Sequence, residues 1–276
     1  MRISVITPSF RSSNWLKLCI ASVADQGVEV EHIVQDAESD DGTLDWLPND
    51  PRVRAFVEKD RGMYDAVNRG LKRSSGEILA YLNCDEQYLP GALRAVEQFF
   101  HENSEVDILF GNVVMVDAEG DYLSHRKMQT PLKYHTWVCH LSTLTCATFF
   151  RRRVIFDHGF LFDPGLRDVG DGEWMVRMLR RGIKMAALGQ FTSAFTRTGV
   201  NMSIGPNAQR ENRKLFETAP LLARKLRPLI ILHHRFRRLL GGMYLQKPFS
   251  YSIYTQRRPE SRQMIEVPKP TFRLRE

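Results

Sequence analysis

The sequence is short of cysteine, of long apolar runs and of glycine at one expected turn, and each shortage excludes a class of protein. Its four cysteines form no CxxC pair and no zinc-ligand spacing; they are Cys19, Cys84, Cys139 and Cys146. We therefore expect reduced thiols, with neither a disulfide scaffold nor a zinc site. No apolar run approaches the ~20 residues of a membrane-spanning helix. The sequence begins within a predicted strand, so we expect no signal peptide and a cytoplasmic location.

The glycine pattern excludes two common nucleotide-binding motifs. A dinucleotide site needs a glycine-rich turn after the first strand, where phosphate meets the N–H groups of a helix N-terminus. The turn here reads TPSFRSSNW, residues 7–15, and no glycine occurs before Gly27. The GxxxxGK[ST] loop is also missing from the sequence. The negative charge of any bound phosphate must therefore be neutralised by other groups.

Acidic residues are scarce at the C-terminal end of the sequence. Residues 220–276 carry 13 Lys or Arg and three Glu, a net charge of +10, whereas the whole chain of 276 residues carries +7. This asymmetry indicates an anionic partner for the tail, either nucleic acid or a membrane surface. Residues 220–244 also place leucines at helical spacing, and Pro228 divides them into two pieces. The tail then either lies on an anionic membrane or packs its leucines against the rest of the protein.

Apolar runs and helical patterns alternate along the first hundred residues. The predicted strands are 2–8, 30–36, 52–58 and 77–82, and the predicted helices are 13–26 and 61–76. This alternation predicts an α/β fold with a mostly parallel central sheet flanked by helices. Further strands are predicted within 106–117, 145–153 and 184–189, with a helix at 172–182. We divide the chain into residues 1–100, a mixed part at 101–219, and a basic, helical C-terminal segment at 220–276.

Three acidic residues stand where successive predicted strands end. Asp36 ends the second strand, Asp60 follows the third, and Asp85, with Glu86 directly after it, follows the fourth. The three strand-end acids are thus Asp36, Asp60 and Asp85. A single Asp at such a place is commonly a helix cap or a turn residue. Ligands of open α/β sheets bind beyond the carboxyl ends of the strands, so three such acids together indicate a site. Carboxylates there can hold a divalent cation that bridges the oxygens of a diphosphate.

Four stretches, in this order, resemble the inverting glycosyltransferase family 2 of bacterial cell-surface polysaccharide synthesis. They are ISVITPSF (3–10), QDAESDDGT (35–43), EKDRGMYDAVNRGLKRSSGE (58–77) and LAYLNCDEQYLPGAL (79–93). ATFFRRRVI (147–155) and GDGEWMVRMLRRG (170–182) continue the resemblance. It implies the GT-A fold of nucleotide-diphospho-sugar transferases. In that case residues 1–100 form the nucleotide-sugar-binding half, and residues 101–219 form the acceptor-binding and catalytic half.

The resemblance implies a role for each strand-end residue. Asp36 would hold the base or ribose of a nucleotide-sugar, and Asp60 the nucleoside. The other donor-binding residues implied are Pro8, Ser9, Asn68, Asn83 and Asp85. Asp85, with Glu86, would bind Mn²⁺ or Mg²⁺ on the diphosphate. Arg11 departs from the Asn usual in the family, and Arg197 and Asn201 lie in a loop that closes over the donor in relatives.

The resemblance also implies that Asp171 is the general base that takes the proton of the acceptor hydroxyl. On pattern alone, Asp171 is a cap of the helix that follows it. Glu173, two residues further on, is the alternative base. Its other interpretation is a solvated acid favoured by the helix dipole.

The predicted function is therefore metal-dependent, inverting transfer of a hexosyl group. The donor is a nucleotide-sugar, with UDP-sugar favoured, and the acceptor is a saccharide or a polyprenyl-linked molecule. One alternative is a catalytically inactive relative that only binds the nucleotide-sugar. A second alternative, a nucleic-acid-binding protein, is disfavoured by the acidic body, and we expect no nucleic acid partner. The basic segment at 220–244 predicts peripheral binding to the inner face of the cytoplasmic membrane.

Overall fold

A central sheet with helices on its faces organises residues 1–199 and 205–273, which the computed structural model describes. The strands are β1 Ile3–Ser9, β2 Val30–Asp36, β3 Arg54–Val57, β4 Ile78–Tyr81, β5 Glu86–Tyr88, β6 Ile108–Val116, β7 Tyr122–Arg126, β8 Thr148–Arg151, β9 Met185–Thr196, β10 Phe249–Thr255 and β11 Arg258–Val267. The helices are α1 Ser13–Ala24, α2 Met63–Arg73, α3 Ala92–Glu102, α4 Lys133–Val138, α5 Arg152–Phe156, α6 Gly170–Arg181, α7 Pro206–Glu217, α8 Leu221–Lys225 and α9 Arg227–Leu240.

The first half of the sheet is parallel, as the alternating pattern predicts. Its strand order is β3-β2-β1-β4, and all three pairings are parallel. Every residue of β1 and β4 is buried because helices cover both faces of these strands. The carboxyl ends of β1, β2 and β4 therefore meet at one edge of the sheet. This edge carries the acids that the sequence placed at strand ends.

The second half of the sheet mixes strand directions. The order continues β8-β6-β9-β5, with β8 antiparallel to β4 and β6, β9 parallel to β6, and β5 antiparallel to β9. The mostly parallel arrangement thus describes the first half of the sheet and not the second. Strand β6 also runs unbroken through Gly111, where the sequence predicted separate strands. A Cβ at Gly111 would lie 2.2 Å from Thr192 Oγ1, so glycine lets β6 and β9 approach each other.

The C-terminal segment is only partly helical, which corrects the prediction of a helical tail. Strands β10 and β11 pair as an antiparallel hairpin after the two helices. Its first strand alternates buried Tyr251, Ile253 and Thr255 with more exposed neighbours, which is the two-residue period of a strand. Tyr251 and Ile253 pack in one cluster with residues of the sheet, which are Leu89, Val114, Val116 and Ala194. The hairpin is therefore part of the folded body.

Helices α8 and α9 bear their apolar residues mainly on the outside. Pro228 lies in the first turn of α9, so the predicted division into two helical pieces is confirmed. The exposed apolar side chains of the two helices are Leu221, Leu222, Leu226, Leu229, Leu232, Phe236, Leu239 and Leu240. The alternative in which these leucines pack against the body is therefore wrong for these side chains. Within the described part of the chain, no helix is long and apolar enough to cross a bilayer.

Candidate functional site

Asp36 lies fully buried at the end of β2, directly beside the end of β1. In the parallel register, Ser9 is the partner of Asp36. The Asp36 carboxylate accepts hydrogen bonds from the Ser39 N–H (2.7 Å) and the Ser39 hydroxyl (2.8 Å). These bonds order the loop after β2 and leave the remaining lone pairs of both oxygens toward the strand-end edge. Each Asp36 oxygen therefore keeps lone-pair capacity beyond its bond to Ser39.

Asp60 faces the same space from the loop after β3. Its Oδ1 accepts a hydrogen bond from the Gly62 N–H at 2.8 Å. Burial raises the pKa of the Asp60 carboxyl, and the nearby Asp65 and Asp36 carboxylates raise it further. Strands β2 and β3 pair in parallel with Asp36 opposite Val57, so Asp36 and the loop that carries Asp60 lie at the same end of the sheet.

Two neutral polar groups on the same edge have hydrogen-bonding capacity to spare. Pro8 and Ser9 end β1, and Asn83 follows β4. The buried Ser9 Oγ and Asn83 Oδ1 have no hydrogen-bond partner among the described residues. Buried polar atoms are normally paired, so these two favour a ligand with complementary groups.

Asp85 and Glu86 are adjacent in sequence and point into different surroundings. Asp85 is partly exposed, and burial raises the pKa of its carboxyl. Glu86 is 1% exposed, and its Oε2 accepts the Asn83 N–H at 2.9 Å. Burial and the Asp85 charge raise the pKa of Glu86. Asp85 thus faces the edge of the sheet, whereas Glu86 closes the turn from inside.

The carboxylate of Asp85 is the group here that fits a divalent cation. The described residues contain no group of three or more His, Cys, Asp or Glu able to hold a metal. Mg²⁺ in nucleotide sites is commonly held by one or two carboxylates, with phosphate and water completing its shell. A partly exposed carboxylate beside an unpaired amide oxygen suits that arrangement. It does not suit a cage built from protein ligands alone.

Asp171 lies half-buried in the first turn of α6 and is bonded to Tyr64 of α2. The Tyr64 hydroxyl donates to Asp171 Oδ1 at 3.4 Å and accepts from the Asp171 N–H at 3.1 Å. The Gly172 N–H also donates to Oδ1, at 2.8 Å. Burial raises the pKa of the Asp171 carboxyl. Val169 and not Asp171 is the N-cap of α6, so the cap interpretation is wrong. The Asp171 carboxylate lines a cavity, and its role as general base stays a prediction.

That cavity is narrow and lies beside the end of β4. Besides Asp171, it is lined by Tyr81, Leu141, Thr145, Thr148, Phe150, Trp174 and Met175. The sequence pattern does not indicate that Tyr81 and Thr145 belong to this site. Tyr81 lies inside a buried apolar run and Thr145 follows a loop, so neither stood out as polar at a strand end. Only the fold shows that they meet Asp171.

Glu173 and Asn68 each bond to another residue of the protein. Glu173 forms an ion pair with Arg177 one turn along α6, at 2.8 Å. Both ends of the Asn68 amide are used by the backbone of Phe162, at 2.8 and 2.9 Å. Because this amide is buried and each end bonds to the backbone of Phe162, Asn68 fixes the loop of Phe162, and its contact with a sugar donor stays a prediction. Asn201 lies outside the described residues.

Arg11 shows why the family's usual Asn suits its position. Its φ is 49°, in the left-handed region that Asn tolerates better than other non-glycine residues. The Arg11 guanidinium forms two hydrogen bonds with Asp40, at 2.5 and 2.7 Å, and the Arg11 N–H donates to Ser39 Oγ. These contacts hold the strained turn at the rim of the strand-end edge.

Known proteins resemble this chain in sequence and in fold. A mycobacterial "PGL/p-HBAD biosynthesis glycosyltransferase" from Mycobacterium tuberculosis is 33% identical over 41% of this chain and 46% of its own length. A Campylobacter jejuni "GalNAc(5)-diNAcBac-PP-undecaprenol beta-1,3-glucosyltransferase" is 32% identical over 44% of this chain and 40% of its own. The chain thus matches less than half of the length of these relatives.

Solved structures share the architecture at lower sequence identity. S. aureus TarS 1-349 in complex with UDP-GlcNAc has a TM-score of 0.64 and 20% identity, covering 88% of this chain and 75% of that one. The mannosyltransferase PcManGT from Pyrobaculum calidifontis, in complex with GDP-Man and Mn²⁺, has a TM-score of 0.52 and 18% identity, covering 76% of this chain and 60% of that one. The chain therefore has the GT-A fold of these enzymes.

A sequence profile described as "Glycosyl transferase family 2" matches residues 4–160, more than half of the chain. This span contains the strand-end residues from Ser9 to Glu86. The protein belongs to glycosyl transferase family 2.

Proposed function

We propose that this protein transfers a hexosyl group, with inversion, from a UDP-sugar to a saccharide acceptor carried on a lipid. The observation that carries the proposal is the half-buried Asp171 carboxylate, held by Tyr64 at a cavity beside the end of β4. An inverting transfer is a single in-line displacement, which needs one base and a stabilised leaving diphosphate. The chain offers Asp171 for the first need and the edge around Asp85 for the second.

The donor pocket in this proposal is the edge formed by the ends of β1, β2 and β4. The Ser9 hydroxyl and the Asn83 amide oxygen would bond to the donor, beside Pro8, Asp36 and Asp60. Asp85 would hold Mn²⁺ or Mg²⁺ against the diphosphate, and the ion would supply charge neutralisation to the leaving group. Glu86 would support the turn that carries Asp85 and would not reach the ion, because its side chain is buried and bonded to Asn83.

In this proposal Asp171 accepts the proton of the acceptor hydroxyl as that oxygen attacks the anomeric carbon. Burial raises the pKa of Asp171, which makes its carboxylate a stronger base than a solvated one. Tyr64 and the Gly172 N–H fix Oδ1, so Oδ2 is the oxygen left to receive the proton. Glu173 is a poorer base because Arg177 neutralises it.

The relatives support the proposed acceptor class. The C-terminal helices support the proposed location at a membrane. A relative's name includes an undecaprenol-linked substrate, and the same class is proposed for this chain. Such an acceptor lies at a membrane, and the exposed leucines of α8 and α9 suit a cytoplasmic enzyme bound to the inner membrane face.

Titration calorimetry with UDP and Mn²⁺ tests the proposal. We expect UDP to bind in the presence of Mn²⁺ and to bind more weakly after the metal is chelated. Absence of binding for every nucleoside diphosphate tried with metal would overturn the proposed function. Binding without release of UDP from any UDP-sugar, over a broad set of acceptors, would instead identify a nucleotide-sugar-binding protein without activity.

A further inference from the structure

An open cavity of about 250 Å³ lies between α4, α7 and the start of α9. It shares no described residue with the cavity that Asp171 lines. Six of its lining residues are Thr136, Trp137, Asn212, Arg213, Phe216 and Arg227, and none of the described residues that line it is Asp or Glu. Arg213 and Arg227 make no ion pair with a described residue, although Arg227 lies over the Phe216 ring at 5.8 Å. The lining is therefore cationic and uncompensated.

Thr136 adds an unused hydrogen-bond donor to this cavity. Its side chain is 2% exposed, and Oγ1 has no partner in the described part of the chain. The neighbouring Trp137 indole N–H is already bonded to Thr218 Oγ1 at 2.8 Å. A buried, unpartnered hydroxyl in the same lining as two guanidinium groups is a combination that phosphate oxygens satisfy, because they accept charge-assisted hydrogen bonds from arginine.

The cavity opens where an exposed apolar surface begins. We call this surface the leucine face; it consists of Leu226, Leu229, Leu232, Phe236, Leu239 and Leu240. These side chains are 40–71% exposed and recur at helical spacing along α9. Arg227 of the cavity stands between Leu226 and Leu229 in the sequence. Contiguous exposed apolar residues mark interaction surfaces, and a basic apolar helix of this kind suits the headgroup layer of an anionic membrane.

We propose that this cavity binds the phosphate of a membrane lipid, with the lipid chains against the leucine face. Arg213, Arg227 and Thr136 would hold the phosphate oxygens. The leucine face and the net positive charge of the tail would hold the protein to the bilayer. The proposal commits to an anionic lipid surface because the cavity is cationic and the adjoining face is apolar.

Helix α6 connects this cavity with Asp171. Val176 of α6 packs against Trp137, and Arg180 lies over the Trp137 ring at 4.8 Å. Nine residues of helix separate Asp171 from Arg180, a rise of about 14 Å. With a bilayer docked at the cavity, a saccharide carried on a lipid would span that distance to reach Asp171. This consequence rests on the proposed function, whereas lipid binding itself does not.

Flotation with lipid vesicles tests the proposal on the full chain. The vesicles contain phosphatidylcholine alone or phosphatidylcholine mixed with phosphatidylglycerol. Arg213→Gln is compared with Lys214→Gln, which removes the same charge from an exposed neighbour on α7 outside the cavity. Lys214→Gln should weaken binding to anionic vesicles by about fivefold or less, the effect of one surface cation. Arg213→Gln should weaken binding to anionic vesicles by clearly more than Lys214→Gln does. Leu232→Ser should also weaken this binding.

Three results would contradict lipid binding at the cavity or at the leucine face. Equal losses for Arg213→Gln and Lys214→Gln would overturn the phosphate cavity. Release of the wild-type protein from vesicles by millimolar inorganic phosphate would assign the cavity to free phosphate. No flotation, with a dimer in size-exclusion chromatography that Leu232→Ser dissociates, would assign the leucine face to a second copy. UDP binding by the same variants should match wild type, so loss of UDP binding in every protein would defeat the proposed function alone.

Discussion

At the scale of single residues, Asp85 and Glu86 show how neighbouring acids are assigned to different work by burial. The Asp85 carboxylate is partly exposed at the sheet edge, whereas Glu86 Oε1 is buried without a partner among the described residues. An unpaired buried oxygen is costly for a carboxylate and tolerable for a protonated acid, which agrees with the raised pKa of Glu86. The side-chain environment thus separates the two residues that the motif treats alike.

Asp85→Ala is expected to abolish metal-dependent binding of UDP. The variant removes the carboxylate that fits the cation and leaves Ser9 and Asn83 in place. Titration calorimetry with and without Mn²⁺ measures the effect, and Glu86→Gln is the matched control. Glutamine keeps the shape of the protonated acid, so Glu86→Gln should bind UDP and Mn²⁺ nearly as wild type does. The opposite outcome for the two variants would move the metal ligand to Glu86.

Asp171→Asn is expected to lower kcat by ~10²–10⁴-fold, the usual effect of losing a general base. The amide keeps the contacts with Tyr64 and Gly172 but cannot take a proton. UDP release measures turnover, and calorimetry should show donor binding close to wild type. Glu173→Gln, in the same helical turn, should retain most activity because Arg177 already pairs with Glu173. A dead Glu173→Gln with an active Asp171→Asn would transfer the role of base to Glu173.

The sequence predicted the residues at strand ends better than the residues between elements. Asp36 and Asp60 could be found because each follows an apolar run, and the parallel register then brings the ends of β1 and β2 together. Tyr81 could not be found because a buried tyrosine inside such a run looks like core. The bonds of Asn68 to Phe162 could not be predicted because the two residues are 94 positions apart and no local pattern shows that contact.

At the scale of secondary-structure elements, the first turn of α6 depends on two glycines with different surroundings. A Cβ at Gly170 would lie 2.5 Å from Tyr64 Cε2, whereas one at Gly172 would find Val169 Cγ1 at 3.4 Å. Gly170 therefore lets α6 approach α2 closely enough for Tyr64 to bond to Asp171. The element contact, and not the carboxylate alone, sets the position of the proposed base.

Gly170→Ala is consequently expected to lower kcat with little change in UDP binding. Displacing the Tyr64 ring shifts the group that orients Asp171, and misplacement of about 1 Å can reduce the rate by up to ~10²-fold. Gly172→Ala adds the same methyl group in the same turn and should remain near wild type. Turnover by UDP release and thermal unfolding midpoints compare the two. Equal activity of both variants would show that Tyr64 does not position the base.

Helices α4 and α9 meet through three histidines. The His135 and His234 rings stack with centroids 3.7 Å apart, and His140 lies 4.7 Å from His135. Burial and, to a smaller extent, neighbouring groups including Arg238 lower the pKa of His135 to about 3 and that of His234 to about 4. The stack is therefore neutral in the folded protein, and the unfolded chain takes up the protons first as pH falls.

The stability of this contact should be complete above the ordinary histidine pKa of about 6.5 and be lost as pH falls toward 4. Each stacked histidine would remove about 1.4 kcal/mol of unfolding free energy per pH unit below that value. Urea unfolding at a series of pH values measures the slope. His234→Gln should flatten it, whereas His233→Gln, an exposed neighbour, should leave it unchanged. A slope equal in both variants and wild type would exclude the stack as its source.

At the scale of the whole molecule, Arg262 ties the C-terminal hairpin to the first helix. It pairs with Asp25 through two hydrogen bonds, at 2.5 and 2.6 Å, and also bonds to the carbonyl oxygens of Tyr88 and Ser252. Its side chain is only 12% exposed, so these bonds are largely shielded from solvent. The hairpin is thus fixed by a polar clamp as well as by its apolar face.

Arg262→Met is expected to lower the free energy of unfolding by about 2–3 kcal/mol, because it leaves several carbonyl groups and a carboxylate without their donor. Methionine keeps the apolar stem, so the loss reports on the hydrogen bonds. Arg258→Met, at an exposed site of the same hairpin, should change stability little. Urea unfolding compares the two, and equal stabilities would show that the clamp contributes nothing.

The hairpin places the completion of the fold late in the synthesis of the chain. Asp25 and Arg262 are separated by 237 positions, and a ribosome adding roughly 5–20 residues per second needs about 10–50 s to cover them. During that interval Leu89, Val114, Val116 and Ala194 have no cover from Tyr251 and Ile253. Such a nascent chain exposes an apolar surface to neighbouring chains. Slower translation or crowded expression should therefore favour aggregates. Chaperones that bind apolar segments should raise the yield of folded protein.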